Sequence, residues 1–160
     1  MDATRIHLFI THLPVFGLFL GILVLLYGII KDERHVKIVS LIILLISVVG
    51  GVIAFRTGES AEHTVENITG ISEDTVEEHE ESAEVTNLFF YGLGILSLGS
   101  IYAELKGKKY SKQLLLVVLA VTVVTFSFVA WTASLGGKIR HPEIESGNTN
   151  QSSILNPDHD

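Results

Sequence analysis

Apolar residues in this chain are concentrated in four long blocks that are separated by short polar segments. The blocks predict helical spans over residues 8–30, 36–56, 84–104 and 113–136. Such spans match the roughly 20 residues that an α-helix needs to cross a hydrocarbon core of about 30 Å. The pattern predicts an all-α membrane protein, an antiparallel up-down-up-down bundle of four transmembrane helices within residues 1–144. A soluble protein is the alternative, but too few polar residues remain to cover four such helices.

The polar segments differ in character. Within residues 57–84, Ser60–Asn67 and Ser72–Val85 are predicted to be helical and to be joined by Ile68–Ile71. The charged stretch Val76–Glu84 is expected to extend the third helix above the membrane. The segment at 145–160 is polar and rich in Asn and Ser, which predicts a flexible tail.

Basic residues predict the orientation, because Lys and Arg are enriched in the cytoplasmic loops of membrane proteins. The first and third loops contain Lys31, Arg34 and Lys37, and Lys106, Lys108, Lys109 and Lys112. The second loop, over residues 57–86, has no Lys or Arg. Both termini are therefore expected on the outer side, together with all acidic residues except Asp32, Glu33 and Glu104. The net charge of −7 thus belongs to the outer face, which argues against nucleic acid or anionic lipid as a partner there.

Composition limits the chemistry at this face. The chain has no cysteine, so disulfides, thiolate metal sites and iron–sulfur ligation are excluded. Its one methionine is Met1, so no internal methionine can bind a metal or haem. Six of the 7 histidines lie on the predicted outer side, the exception being His35. Histidine is therefore the candidate ligand.

Four of these histidines lie near predicted helix ends: His7, His12, His79 and His141. We expect the ends to converge at one level, where imidazoles from different helices could hold a cofactor in the bundle. Haem b fits, because it takes axial imidazoles, and Arg56 and Arg140 lie at the right level to pair with its propionates.

Two other interpretations remain open. A zinc, iron or copper ion would use carboxylates beside imidazoles, and Glu59, Glu62 and Glu80 are the candidates. In a structural subunit, the histidines would only connect helix ends by hydrogen bonds. Spaced glycines, such as Gly17 and Gly94, predict close helix packing or space for a flat macrocycle.

The chain also resembles a widespread family of small bacterial four-helix membrane proteins whose function is unknown. The resemblance covers most of the chain to about Ile144, and its most specific part is Arg140-His141-Pro142-Glu143-Ile144. Some relatives are joined to Rieske-type iron–sulfur domains, so the resemblance implies redox partners. The residues that match the family pattern are His7, His12, Glu59, Glu62, His79, Glu80, Arg140, His141 and Glu143. His63 departs from the pattern, which makes a ligand role for it doubtful.

Taken together, these observations lead to the hypothesis of a b-type cytochrome-like subunit of the bacterial inner membrane, with both termini periplasmic. Its expected role is electron transfer between the quinone pool and a periplasmic redox protein or a larger redox complex. Ligation by two histidines would leave the iron no open position, so the chain is expected to be an electron carrier or subunit rather than a stand-alone enzyme.

Overall fold

The computed structural model describes residues 10–65 and 73–140, with side chains at 10–58, 74 and 76–137. The described residues form four helices: α1 His12–Lys31, α2 Arg34–Val65, α3 Glu73–Leu105 and α4 Ser111–Arg140. The predicted tail at 145–160 and the predicted joint between the second and third helices lie outside the described residues.

The helices form a closed ring. Each helix packs against its neighbours in sequence, and α4 also packs against α1. Diagonally opposite helices make no close backbone contact within residues 10–65 and 73–140. The predicted all-α, antiparallel four-helix membrane bundle is therefore confirmed. We call the end at which α1 begins and α4 ends the outer end, and the end with the two short connections the inner end.

The outside of the bundle is apolar. Long, strongly apolar stretches occur in all four helices: His12–Lys31, Arg34–Gly58, Val76–Leu105 and Ser111–Gly137. Many large apolar side chains are exposed, for example Ile30 at 69% and both Leu88 and Ile95 at 72%. Exposure of such an apolar surface to water would be unfavourable, whereas lipid tails are as apolar as the side chains themselves. The chain is a multi-pass membrane protein.

Three helices are longer than a bilayer requires. α2 has 32 residues, α3 has 33 and α4 has 30. At about 1.5 Å per residue, each is on the order of 45–50 Å long, compared with a hydrocarbon core of roughly 30 Å. Because short connections join the helices at the inner end, the excess length projects from the outer end. The charged start of α3 is part of this projection.

Glycines allow close contact between α1 and α2. A Cβ built on Gly17 would lie 2.0 Å from Ser47 Oγ, and one on Gly21 would lie 2.4 Å from Leu44 Cδ2. Lipid gives no hydrophobic drive for helix association, so this close van der Waals packing is what holds the pair together. Gly94 likewise faces Val48, with a distance of 3.3 Å to Val48 Cγ1. Packing, rather than space for a macrocycle, accounts for Gly17 and Gly94.

Candidate functional site at the outer end

The structure describes only part of the predicted site. The side chains of His12, Arg56, His79 and Glu80 are described, and they are discussed below. Glu59, Glu62 and Arg140 lie within helices, but their side chains are outside the description. His7 and His141 lie outside the described residues altogether.

His79 is held against α4. Its Nδ1 lies 3.0 Å from the backbone oxygen of Thr132, and the ring is partly buried. A carbonyl oxygen can only accept, so Nδ1 carries the proton and donates it. In the neutral imidazole the lone pair then belongs to Nε2. Metal-bound histidines have this arrangement, because donation from one nitrogen to a carbonyl orients the ring and makes the other nitrogen a better ligand.

Gly136 makes room for this ring. A Cβ at Gly136 would lie 3.2 Å from His79 Cε1. That distance is tight, so a larger side chain would push the imidazole away from Thr132. Gly136 is one helical turn above Thr132 on α4, and the two residues together fix where the His79 ring lies.

Hydroxyl groups continue the contact between α3 and α4 below His79. Thr132 Oγ1 lies 2.7 Å from Ser82 Oγ and 3.0 Å from Thr86 Oγ1. Thr132 also donates to Phe128 O at 3.0 Å, so its one hydroxyl proton is used within α4. Ser82 therefore donates to Thr132, while Thr86 is also 2.7 Å from Ser82 O. One turn further down, the Phe89 and Phe128 rings stack with their centroids 4.8 Å apart.

The sequence interpretation missed these hydroxyls, although a signal was present. Ser82 and Thr86 are four residues apart and share one face of α3. Thr132 is a polar residue near the end of an otherwise apolar span. Small polar residues at such positions often form hydrogen bonds between membrane helices.

His12 lies elsewhere. It is exposed on α1, and its ring stacks on Phe16 of the same helix at a centroid distance of 6.4 Å. Leu13 packs on Gly50 of α2, and the next residue, Gly51, faces the ring of Phe90 on α3. His12 thus lies near the level of Phe90.

His79 precedes Phe90 by 11 residues on α3, which is about three turns or about 16 Å along the axis. α1 and α3 are also diagonally opposite and make no close backbone contact. The structure therefore does not bring His12 and His79 to one level, and one iron ion cannot bond to both rings.

The other described candidates lie at the surface. Arg56 on α2 is exposed, and Glu80, which follows His79, is exposed as well. The neighbouring acidic residues of α3 form a solvated acidic surface: Asp74, Glu77, Glu78, Glu81 and Glu84. No group of three His, Asp or Glu side chains in the described part of the chain is arranged to hold a metal ion.

Comparison with known proteins adds no further constraint. No family model, no curated protein and no solved structure matches this chain. The functional argument therefore depends on the geometry of the outer end.

Proposed function

We propose that this protein is a b-type cytochrome-like electron-transfer subunit with His79 as one axial ligand of a haem. The observation that supports this proposal is the hydrogen bond from His79 Nδ1 to Thr132 O, because it presents the lone pair of Nε2 as iron ligands require. Haem is favoured over a bare metal ion because it needs only axial imidazoles, whereas a bare ion needs three or four side chains.

The proposal changes the expected ligand pair. His12 is separated from His79 along the bundle, so we assign the second axial position to His7 or His141, the other candidates from the sequence. Arg56 and Arg140 remain the candidates for pairing with the propionates. Below Phe90, the interior is filled by buried side chains such as Leu18, Leu44 and Leu93, so we place the haem above them, at the projecting outer end.

The same proposal includes the cellular setting. Basic loops at the inner end, as in cytoplasmic loops generally, support a bacterial inner-membrane protein with both termini periplasmic. The acidic surface of α3 would then face the periplasm, where it suits a basic redox protein. Quinone in the membrane is the second proposed partner, and it would exchange electrons with the haem from the membrane side.

Optical spectroscopy of the detergent-purified protein tests the haem directly. The oxidised protein should show a Soret band that shifts on reduction with dithionite, together with sharp α and β bands. His79→Ala should lose these bands, whereas His35→Ala, a matched control at the exposed inner end, should keep them. His7→Ala and His141→Ala, compared side by side, identify the second ligand.

Three results would overturn the proposal. The first is a reduced spectrum without haem bands when the protein is produced with ample haem. The second is full haem content in folded His79→Ala. The third is a stoichiometric zinc, iron or copper content without porphyrin, which would establish the metal-ion alternative instead.

Labelling of single cysteines tests the orientation, and the absence of native cysteine makes it straightforward. Glu77→Cys on exposed α3 should react with a membrane-impermeant maleimide in intact spheroplasts. Lys109→Cys in the exposed inner connection should react only after the membrane is permeabilised. The reverse pattern would refute the proposed topology.

A further inference from the structure

Buried polar side chains follow the interface between α3 and α4 along most of its length. On α3, four residues with 9% exposure or less lie on the side that packs on α4: Thr86, Ser97, Ser100 and Glu104. On α4, Thr122 and Thr125 are both fully buried. Polar and ionisable groups are costly inside a membrane and commonly mark pathways for ions or protons.

The register of the two helices makes this series nearly continuous. His79 lies on Gly136 near the outer end, and Ser111 Oγ donates to the Glu104 carboxylate at the inner end. In this antiparallel register, Thr125 and Thr122 lie opposite Tyr91 and Gly94. They therefore fill the interval on α3 between Thr86 and Ser97. Successive polar residues are then at most about five residues apart, or about 7.5 Å along the axis.

One member of the series, Ser97, has a buried Oγ without a hydrogen-bond partner among the described residues. The neighbouring hydroxyls differ, since Ser100, Thr122 and Thr125 each donate to a carbonyl of their own helix. The buried Oδ1 of Asn87 also lacks a described partner, but Asn87 shares its face of α3 with Phe90 and Gly94, which contact α2. Buried polar atoms in proteins are rarely left without a partner, and ordered water commonly supplies one. Helix packing does not explain such an atom at Ser97.

The ends of the series suit proton entry and exit. At the inner end, Glu104 is a carboxyl group with 8% exposure, next to the point where Arg34 Nη2 donates to Leu105 O at 2.8 Å. A carboxyl group can both give and take a proton. At the outer end, the hydroxyls of Ser82, Thr86 and Thr132 lie within hydrogen-bond distance of one another and reach the polar surface.

We propose that the α3–α4 interface is a proton path across the membrane. Glu104 takes up a proton from water at the inner face and passes it to water held by Ser100 and Ser97. The proton then moves from water to water past Thr122, Thr125 and Thr86 and leaves at the outer hydroxyls of Ser82 and Thr132. In each hop one O–H bond forms as another breaks, and Glu104 returns to its original state, so the balance needs no other reactant.

The interface also suggests selectivity. Phe90 and Leu93, at 3% and 0% exposure, occupy the same stretch of α3 as the proposed path. Buried apolar side chains oppose the passage of a hydrated metal cation, whereas a proton can hop along single waters held by isolated hydroxyls. This proposal does not depend on the haem, because its titratable entry group is at the opposite end of the bundle from His79.

Proton flux into liposomes tests the path. The purified full-length protein is reconstituted in vesicles that contain a pH-sensitive dye, and a potassium gradient with valinomycin drives proton entry. The wild-type protein should acidify the vesicles faster than protein-free liposomes do. Glu104→Gln and Thr86→Val should each lower the protein-dependent rate at least about tenfold, because each removes a relay or water-binding group.

The control is Ser127→Ala, which removes an exposed α4 hydroxyl that donates to its own helix at Val123 O. Its rate should equal that of the wild type. Ser97→Ala removes only one oxygen from the path, so its flux tests the proposal if either of the other variants fails to fold. Glu104→Asp keeps the carboxyl group and should restore most of the flux that Glu104→Gln loses.

Each of three results would overturn the proposal. One is a wild-type rate no higher than that of protein-free vesicles. Another is unchanged flux in folded Glu104→Gln, Thr86→Val or Ser97→Ala. The last is a protein-dependent leak that carries sodium or potassium as readily as protons, which would indicate a general pore rather than a proton path.

Discussion

Thr132 is expected to contribute most of the polar coupling between α3 and α4. Thr132→Val keeps the shape of the side chain but removes the oxygen that lies 2.7 Å from Ser82 Oγ and 3.0 Å from Thr86 Oγ1. Hydrogen bonds between membrane helices contribute about 0.6 kcal/mol on average and up to about 1.7 kcal/mol. Thr132 and Thr86 each give their hydroxyl proton to a carbonyl of their own helix, so the one interhelical bond that is lost is the one Ser82 donates. The free energy of unfolding should therefore fall by about 0.6–1.7 kcal/mol. His79 should keep its position, because its partner is the backbone oxygen of Thr132.

The free energy of unfolding can be measured in mixed micelles by titration with sodium dodecyl sulfate, with helicity as the signal. Ser127→Ala is the control, since it removes an exposed hydroxyl bonded only within α4, and it should cost less than about 0.5 kcal/mol. A double-mutant cycle with Ser82→Ala should give a coupling energy of about 0.6 kcal/mol or more. The reasoning is refuted if Thr132→Val costs no more than the control, or if the two single effects add without coupling.

Two further predictions concern packing and charge. Gly51→Ala should destabilise the bundle by about 1–3 kcal/mol through overpacking, because its Cβ would lie 2.2 Å from Cε2 of the buried Phe90 ring. Gly92→Ala, with no atom within 4 Å of the new Cβ, should cost nothing, and equal effects in the same unfolding titration would contradict this explanation. The hydrogen bond from Lys37 lowers the pKa of Asp32 below its ordinary value of 3.8, and the positive charge of Lys37 lowers it further. The pair therefore stabilises the fold above pH 3.8, and this stabilisation is lost as the pH falls through the lowered pKa. Lys37→Met should return the Asp32 midpoint in a carbon NMR titration to about 3.8, and an unchanged midpoint would show that Lys37 is not the cause.

One physical reason explains both what the sequence indicated about the site and what it could not indicate. Histidine is conspicuous in a cysteine-free membrane chain, so the sequence singles out His79, which the structure places on Gly136 near the end of α4. The arrangement of the histidines was not predictable, because it depends on helix register. A shift of a few turns, as between His12 and His79, leaves the hydrophobic pattern of either helix almost unchanged.

The hydroxyls were missed for a related reason. Ser and Thr are common in membrane helices and usually bond to their own helix, as Thr122 and Thr125 do here. Only the packing of α3 on α4 distinguishes them from Ser82 and Thr132, which bond to each other across the interface.

The sequence by itself determined the fold class and the number and order of the helices. A polar backbone cannot cross lipid unless it satisfies its own hydrogen bonds, so four apolar blocks of membrane-spanning length specify four helices. The tertiary structure alone decided which side of each helix faces inward, because a membrane helix is apolar on its lipid side as well as on its buried side. It therefore also decided that Gly136 lies beside His79, that Thr132 meets Ser82, and that Asn87 and Ser97 turn into the interior.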